Sequence, residues 1–206
     1  MGIEMIDLVA TFIFFFAVID PIGTVPVFIS VTSRYEDKLK RKIAFRAALV
    51  SAIVLVFFVA AGEVILTAID IPLSAFQVAG GIVLFLFALS MIFGESKPEE
   101  EVRMATNFSE TAIFPLAVPS IASPGAMLAA VLLTENHRYS LWEQAQTTMV
   151  MLSVLLIVLV LMLAASWVHR LIGNSGASIV SRVMGLILSS VAVSSILAGI
   201  KEYFLL

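Results

Sequence analysis

The sequence predicts an all-α polytopic membrane protein: six transmembrane helices in two inverted three-helix repeats, with the first and fourth helices broken by Pro/Gly motifs. Three observations predict it. Of 206 residues, 61% are apolar and 13% charged, against about 45–50% and about 25% in soluble domains, and mean hydropathy is +1.09. The apolar residues form long runs, each near the ~20 residues that cross a bilayer core. Two of the runs carry matching Pro/Gly interruptions.

The runs lie near residues 5–32, 43–68, 73–93, 111–134, 141–168 and 178–204. The first follows MGIEMIDLVA, which has no Lys or Arg, so it is expected to be a span and not a cleaved leader. Pro72 stands where the first turn of the third helix tolerates it. Ser140 and Glu143 have capping-box spacing at the start of the fifth, and Trp142 and Trp167 bracket that run as interfacial anchors. An outside amino terminus puts Arg34, Lys38, Lys40, Arg41, Lys42, Arg46, Lys97, Arg103, Arg170 and Arg182 inside, leaving Arg138 and Lys201 outside. The positive-inside rule selects that orientation, with both termini outside the cytoplasmic membrane. Residues 1–206 then form a single transmembrane domain: repeat one over about 1–94, a cytoplasmic linker over about 95–110 containing Glu95, Glu99, Glu100 and Glu101, and repeat two over about 111–206.

Placing Pro21 on Pro124 aligns Asp20-Pro21-Ile22-Gly23 with Ser123-Pro124-Gly125-Ala126, and the third and sixth runs then match around Gly80 and Gly185 after a two-residue shift. Three spans per repeat make the second repeat enter the membrane in the opposite sense. Transporters use such pairs to build two access routes around one midplane site.

In the first run, Asp20-Pro21-Ile22-Gly23-Thr24-Val25-Pro26 stops a helix and can start another. The prolines remove amide donors, Gly23 eases an irregular backbone, and Asp20 before Pro21 has the order of an N-cap before the first helical position. Ser123 before Pro124 repeats this order, after Pro115 and Pro119. Pro26, Pro115 and Pro119 are the candidate hinges. Half-helix starts offer amides to an anion, and half-helix ends offer carbonyls to a cation. A zwitterionic amino acid meets both, with Asp20, Pro21, Gly23, Thr24, Ser123, Pro124, Gly125 and Ala126 as candidate substrate-binding residues. Another small polar solute or an inorganic ion fits the same donors and acceptors.

Asp20 is the acidic residue well inside a span, which marks a pathway or proton-coupling group over a simple cap. Glu63 falls near a span end and is expected to be interfacial, while Gln77 suits either the path or a helix contact. Gly80-Gly81, Ala75 with Ala79, and Gly185 with Ser189 are expected at close helix contacts. Replacing Gly62, near a span end, by Val is expected to impair transport less than the same change at Gly23 or Gly125.

Several classes are excluded. No cysteine is present, and a net charge of −3 gives no nucleic-acid footprint. His137 and His169 sit at membrane edges, with no HExxH or paired intramembrane carboxylates, so neither catalysis, a metal site nor a cofactor is expected. There is no GxxxxGK[ST] loop, so active transport must draw on an ion gradient.

The stretch Ile19-Asp20-Pro21-Ile22-Gly23-Thr24-Val25-Pro26-Val27-Phe28, with Phe114-Pro115-Leu116-Ala117-Val118-Pro119-Ser120-Ile121-Ala122-Ser123-Pro124-Gly125-Ala126, resembles the MarC family of bacterial and archaeal membrane proteins, which includes SnatA-type transporters. The resemblance covers nearly the whole chain. In that family the position of Thr24 is often Asn and that of Ser123 often Gly, departures that bear on substrate preference. The resemblance implies an inner-membrane carrier of small neutral amino acids such as glycine or alanine, coupled to a proton or cation, within the wider group of LysE-type exporters. A channel is the competing expectation, because broken helices also line pores. The expected surroundings are the lipid bilayer, with assembly into a homo-oligomer compatible with the pattern.

Overall fold

The computed structural model describes residues 7–33, 35–93, 112–136 and 138–204, the side chains of 112–115, 172, 174 and 177 excepted. The expected linker over 95–110 lies outside the described residues. Helix α1 (Leu8–Ile19) starts where the Asp7 carboxylate accepts the amides of Val9 and Ala10, and it is followed at once by α2 (Pro21–Thr32). Next come α3 (Asp37–Ala68) and α4 (Leu73–Phe93). The fourth predicted run forms α5 (Ala112–Ile121), wound as a π-helix, and α6 (Pro124–Leu132). The last elements are α7 (Leu141–Leu163) and α8 (Ala165–Tyr203).

Five helical stretches among the described residues are long and apolar enough to cross a membrane: Leu8–Thr32, made of α1 and α2, then α3, α4, α7 and Ser178–Tyr203 within α8. The fourth predicted run instead folds as the shorter α5 and α6, which are not among these five. The chain is therefore an all-α membrane protein.

Two boundaries differ from the sequence expectation. The fifth run stops at Leu163 and not Val168, and α8 begins at Ala165. Inside α8, Gly173 adopts φ 65° and ψ 178°, a backbone region open essentially only to glycine. The chain thus turns at Gly173 before the apolar stretch Ser178–Tyr203 begins. The third predicted run, by contrast, matches α4 end to end, and α7 starts at a formed capping box: Ser140 Oγ accepts the Glu143 amide while the Glu143 carboxylate accepts the Ser140 amide.

Burial identifies the centre of the bundle. In the most apolar window of the Leu8–Thr32 stretch 67% of residues are buried, against 22–33% in the other four spans. The broken α1–α2 unit is thus the most enclosed of the five. Helix α1 packs against α6, α7 and α8, while α2 packs against α5, α7 and α8. Helix α3 rests on α5, α6 and α7. The outward faces stay apolar, with Leu49, Ile53, Leu86, Leu156 and Leu197 more than half exposed, as lipid contact requires.

Helices α4 and α8 run antiparallel at very close range. A Cβ placed on Gly81 would stand 3.1 Å from the Ala192 carbonyl oxygen, one on Gly185 would stand 3.0 Å from that of Ala88, and one on Gly199 would stand 2.8 Å from that of Ser74. Real Cβ atoms seldom come so near backbone. Glycine at these positions lets two helices meet without intervening side chains.

Candidate functional site

The site grows from the junction of α1 and α2. Asp20 ends α1, with its amide donating to the Phe16 carbonyl, and its backbone turns left-handed at φ 50° and ψ 67°. Asp is among the few residues with a side chain that tolerate this region. The same residue starts α2, its Oδ1 accepting the Gly23 amide at 3.0 Å. Thr24 adds a second turn of bonds: both its amide (3.1 Å) and its Oγ1 (3.0 Å) donate to the Asp20 carbonyl. One residue therefore caps two half-helices, end and start.

Asp20 is only 1% exposed. Its second oxygen, Oδ2, accepts the Ser181 hydroxyl of α8 at 3.1 Å. Isolated carboxylates are costly at membrane depth, and here two neutral donors from different elements meet this one.

The second break is built on the same grammar with a shorter side chain. Ser123 takes an extended conformation, and its Oγ accepts the Ala126 amide at 3.1 Å, capping α6. The same hydroxyl donates to the Val18 carbonyl of α1 at 2.8 Å. Val18 is near the end of a half-helix, where carbonyls lack intrahelical partners. The cap of one break thus serves the loose end of the other. Preceding it, the Ala117 carbonyl of α5 accepts the Ala122 amide, and Ser51 of α3 places Oγ 3.2 Å from that carbonyl oxygen and 2.8 Å from that of Ala47.

The structure brings most of the expected site residues into one interior region. Asp20, Thr24 and Ser123 are buried, as are Pro21, Gly23, Gly125 and Ala126. Pro124 is exposed, apart from its buried neighbours. Of the expected hinges, Pro26 is buried inside α2, Pro119 is half-buried in α5, and Pro115 belongs to α5 with its side chain outside the described residues. The amides of Gly23 and Ala126, expected to be open to an anion, are taken by their own caps.

Sequence reasoning missed Ser181. Nothing in the local pattern Ser-Arg-Val-Met marks it, because its role comes from α8 crossing the first break. Glu63 has a local role: its Oε2 accepts the Asn136 amide at 2.7 Å, tying the α6–α7 connection to α3. Two clefts open near opposite ends of α3, apart from the breaks. One of about 200 Å³ opens at the end where α2 meets α3, lined by Thr32, Asp37, Lys40 and Arg41 among others. The other, about 320 Å³, opens at the opposite end beside Glu63, Asp70 and Glu135.

The model for MarC family integral membrane proteins matches residues 5–204. The chain belongs to the MarC family. A membrane protein of Archaeoglobus fulgidus from the group called UPF0056 is 31% identical over 94% of this chain and 92% of its own length. Another UPF0056 membrane protein, from Methanocaldococcus jannaschii, is 34% identical over 90% of this chain and 92% of its own. The UPF0056 membrane protein YvbG of Bacillus subtilis is 30% identical over 96% and 95%. No solved structure matches the chain. MarC membership makes the chain a multi-pass integral membrane protein whose relatives occur in archaea and bacteria.

Proposed function

We propose that this MarC protein is a secondary transporter carrying small neutral amino acids, such as glycine or alanine, across the cytoplasmic membrane by alternating access. The observation that carries the reading is Asp20, a 1% exposed carboxylate at the junction of two half-helices. A substrate ammonium would pair with Asp20, and its carboxylate would lie toward the second break near Gly125, because Ser123 and the Ala126 amide are already committed to each other and to Val18. The same Asp20 is the candidate carrier of a coupling proton, since intramembrane carboxylates serve proton relays.

Three features support a carrier. Asp20 and Ser123 at the breaks are buried, while separate clefts open near the two ends of α3. The two breaks share the Ser123–Val18 hydrogen bond, as a site between two repeats requires. Helices α4 and α8, the third element of each proposed repeat, run antiparallel, and an inverted-topology pair predicts that relation. In this reading α5 and α6 complete a sixth crossing, both termini lie outside, and the Lys40–Arg41 cleft faces the cytoplasm.

The test is uptake and counterflow of labelled glycine in proteoliposomes, with Asp20→Asn beside the wild type. Asn keeps an oxygen for the Gly23 amide and caps about as well as Asp, so folding should hold. Saturable flux in the wild type and loss of gradient-driven accumulation in Asp20→Asn are expected. Wild-type uptake, counterflow and binding by a folded Asp20→Asn variant would remove Asp20 from the mechanism. Non-saturating flux in the wild type would identify a channel instead.

A further inference from the structure

The geometry points to Ser181 of α8 as the gating residue of this site: its hydroxyl holds the place on Asp20 Oδ2 that the substrate ammonium takes. The inference rests on the transport reading above and goes beyond it by naming the group that substrate must displace and the helix that is thereby released.

Asp20 has two oxygens with different duties. Oδ1 is committed to the Gly23 amide within its own cap, at a sequence separation of three. Oδ2 is held by a residue 161 positions away on α8. Replacing the first bond undoes the start of α2. Replacing the second undoes only a contact between elements. A cationic ammonium, with three donors, forms a stronger bond to a carboxylate than a neutral hydroxyl does, so the exchangeable position is Oδ2.

The backbone around this bond is shaped to admit it. A Cβ on Gly23 would stand 2.7 Å from both Asp20 Cγ and Ser181 Oγ. The missing side chain of Gly23 is the space in which the two groups meet. Ser181 is itself 3% exposed, so the bond is shielded from solvent competition and α8 must shift for anything larger to enter. Further along the same helix, Gly185 and Gly199 seat α8 directly on the backbone of α4. A shift of α8 away from α2 therefore carries α4 with it. Displacing one hydroxyl becomes a movement of the α4–α8 pair relative to the two breaks, which is the relative motion that alternating access needs.

Competition gives a signature opposite to that of an ordinary binding residue. If Ser181 holds the ammonium place, Ser181→Ala leaves Oδ2 without its donor in the free protein and removes the competitor, so glycine binds more tightly. If Ser181 were a substrate contact, the same change would weaken binding. Glycine affinity is measured by calorimetry on the purified full-length protein in detergent. The expected result is a Kd about tenfold lower for Ser181→Ala, about 1.4 kcal/mol, with Ser181→Cys between the two because a thiol is a weak donor. The Cys variant also serves should Ser181→Ala not fold. In the wild-type background, glycine should loosen α8, seen as faster hydrogen exchange around 178–185 than in substrate-free protein.

An unchanged or weaker affinity in folded Ser181→Ala or Ser181→Cys, with glycine binding intact in the wild type, overturns the gating role and leaves the transport reading standing. Absence of glycine and alanine binding in the wild type overturns both.

Discussion

Adding a single methyl group at Gly23 is the sharpest perturbation the structure offers. A Cβ there would stand 2.7 Å from Ser181 Oγ and from Asp20 Cγ, and it would overlap the Asp20 Oδ2 oxygen as well. None of these is the free end of a long side chain: Asp20 is fixed by its cap to the Gly23 amide, and Ser181 by α8. The carboxylate must therefore rotate and give up Ser181. A hydrogen bond to a charged group contributes about 1.5–3 kcal/mol, and the better helix propensity of Ala returns about 0.5–1 kcal/mol. The net loss of about 1–2 kcal/mol corresponds to a fall in Tm of roughly 2–8 °C for a chain of this size. Gly125→Ala is the matched comparison. Its Cβ would stand 2.6 Å from Leu84 Cδ1, the far end of a side chain that can turn at a cost of about 0.5–1.5 kcal/mol, nearly offset by the same propensity gain. The assay is thermal unfolding of both variants in detergent, repeated in a Ser181→Ala background. Gly23→Ala should cost clearly less there, because the bond it breaks is already gone. A Gly23→Ala protein as stable as Gly125→Ala, or an equal cost in both backgrounds, would refute the reasoning.

Two other outcomes follow from the same geometry. Ser123→Ala should lower stability by about 1–3 kcal/mol by removing both the α6 cap and the bond to Val18, whereas Ser123→Gly, which replaces a cap at a cost of a few tenths, should lose mainly the Val18 bond; equal melting temperatures for the two would count against the double role. Single cysteines in this cysteine-free chain report orientation: one at the exposed Asp70 should react with an impermeant thiol reagent in right-side-out vesicles and one at the exposed Lys38 should not, and the reverse pattern would overturn the basic-residue argument.

What was legible in the sequence was what the local chain decides. The Asp20-Pro21 and Ser123-Pro124 pairs announce caps because capping needs only a short acceptor followed by a residue without an amide, and both caps form. The capping box at Ser140 and the close contacts at Gly81 and Gly185 were equally readable. Long-range partners were not. Gly62 reads as a span-end glycine away from the breaks, yet a Cβ there would run into the Val131 side chain of α6, so it makes no neutral comparison for them. The turn at Gly173 falls between the fifth and sixth runs, where Gly-Asn-Ser-Gly is a local signal, though α8 continues as helix on both sides of it. Ser181 had none, since a serine on an apolar helix is given meaning only by what it crosses.

The two long-range bonds divide the labour at the breaks in a way that bears on mechanism. Ser123 reaches from the second break to a backbone carbonyl at the first, and Ser181 reaches from α8 to a carboxylate there. A carbonyl cannot change its charge, so the Ser123–Val18 bond has a constant strength and suits a fixed joint between α1 and α6. The Asp20 carboxylate can exchange a neutral hydroxyl for a cationic donor, so the Ser181 bond is open to competition. One site thus holds a permanent tie and a conditional one. A carrier that must keep its broken helices together while letting a helix pair move needs both kinds, and the conditional bond is the one that lies between α2 and the α4–α8 pair.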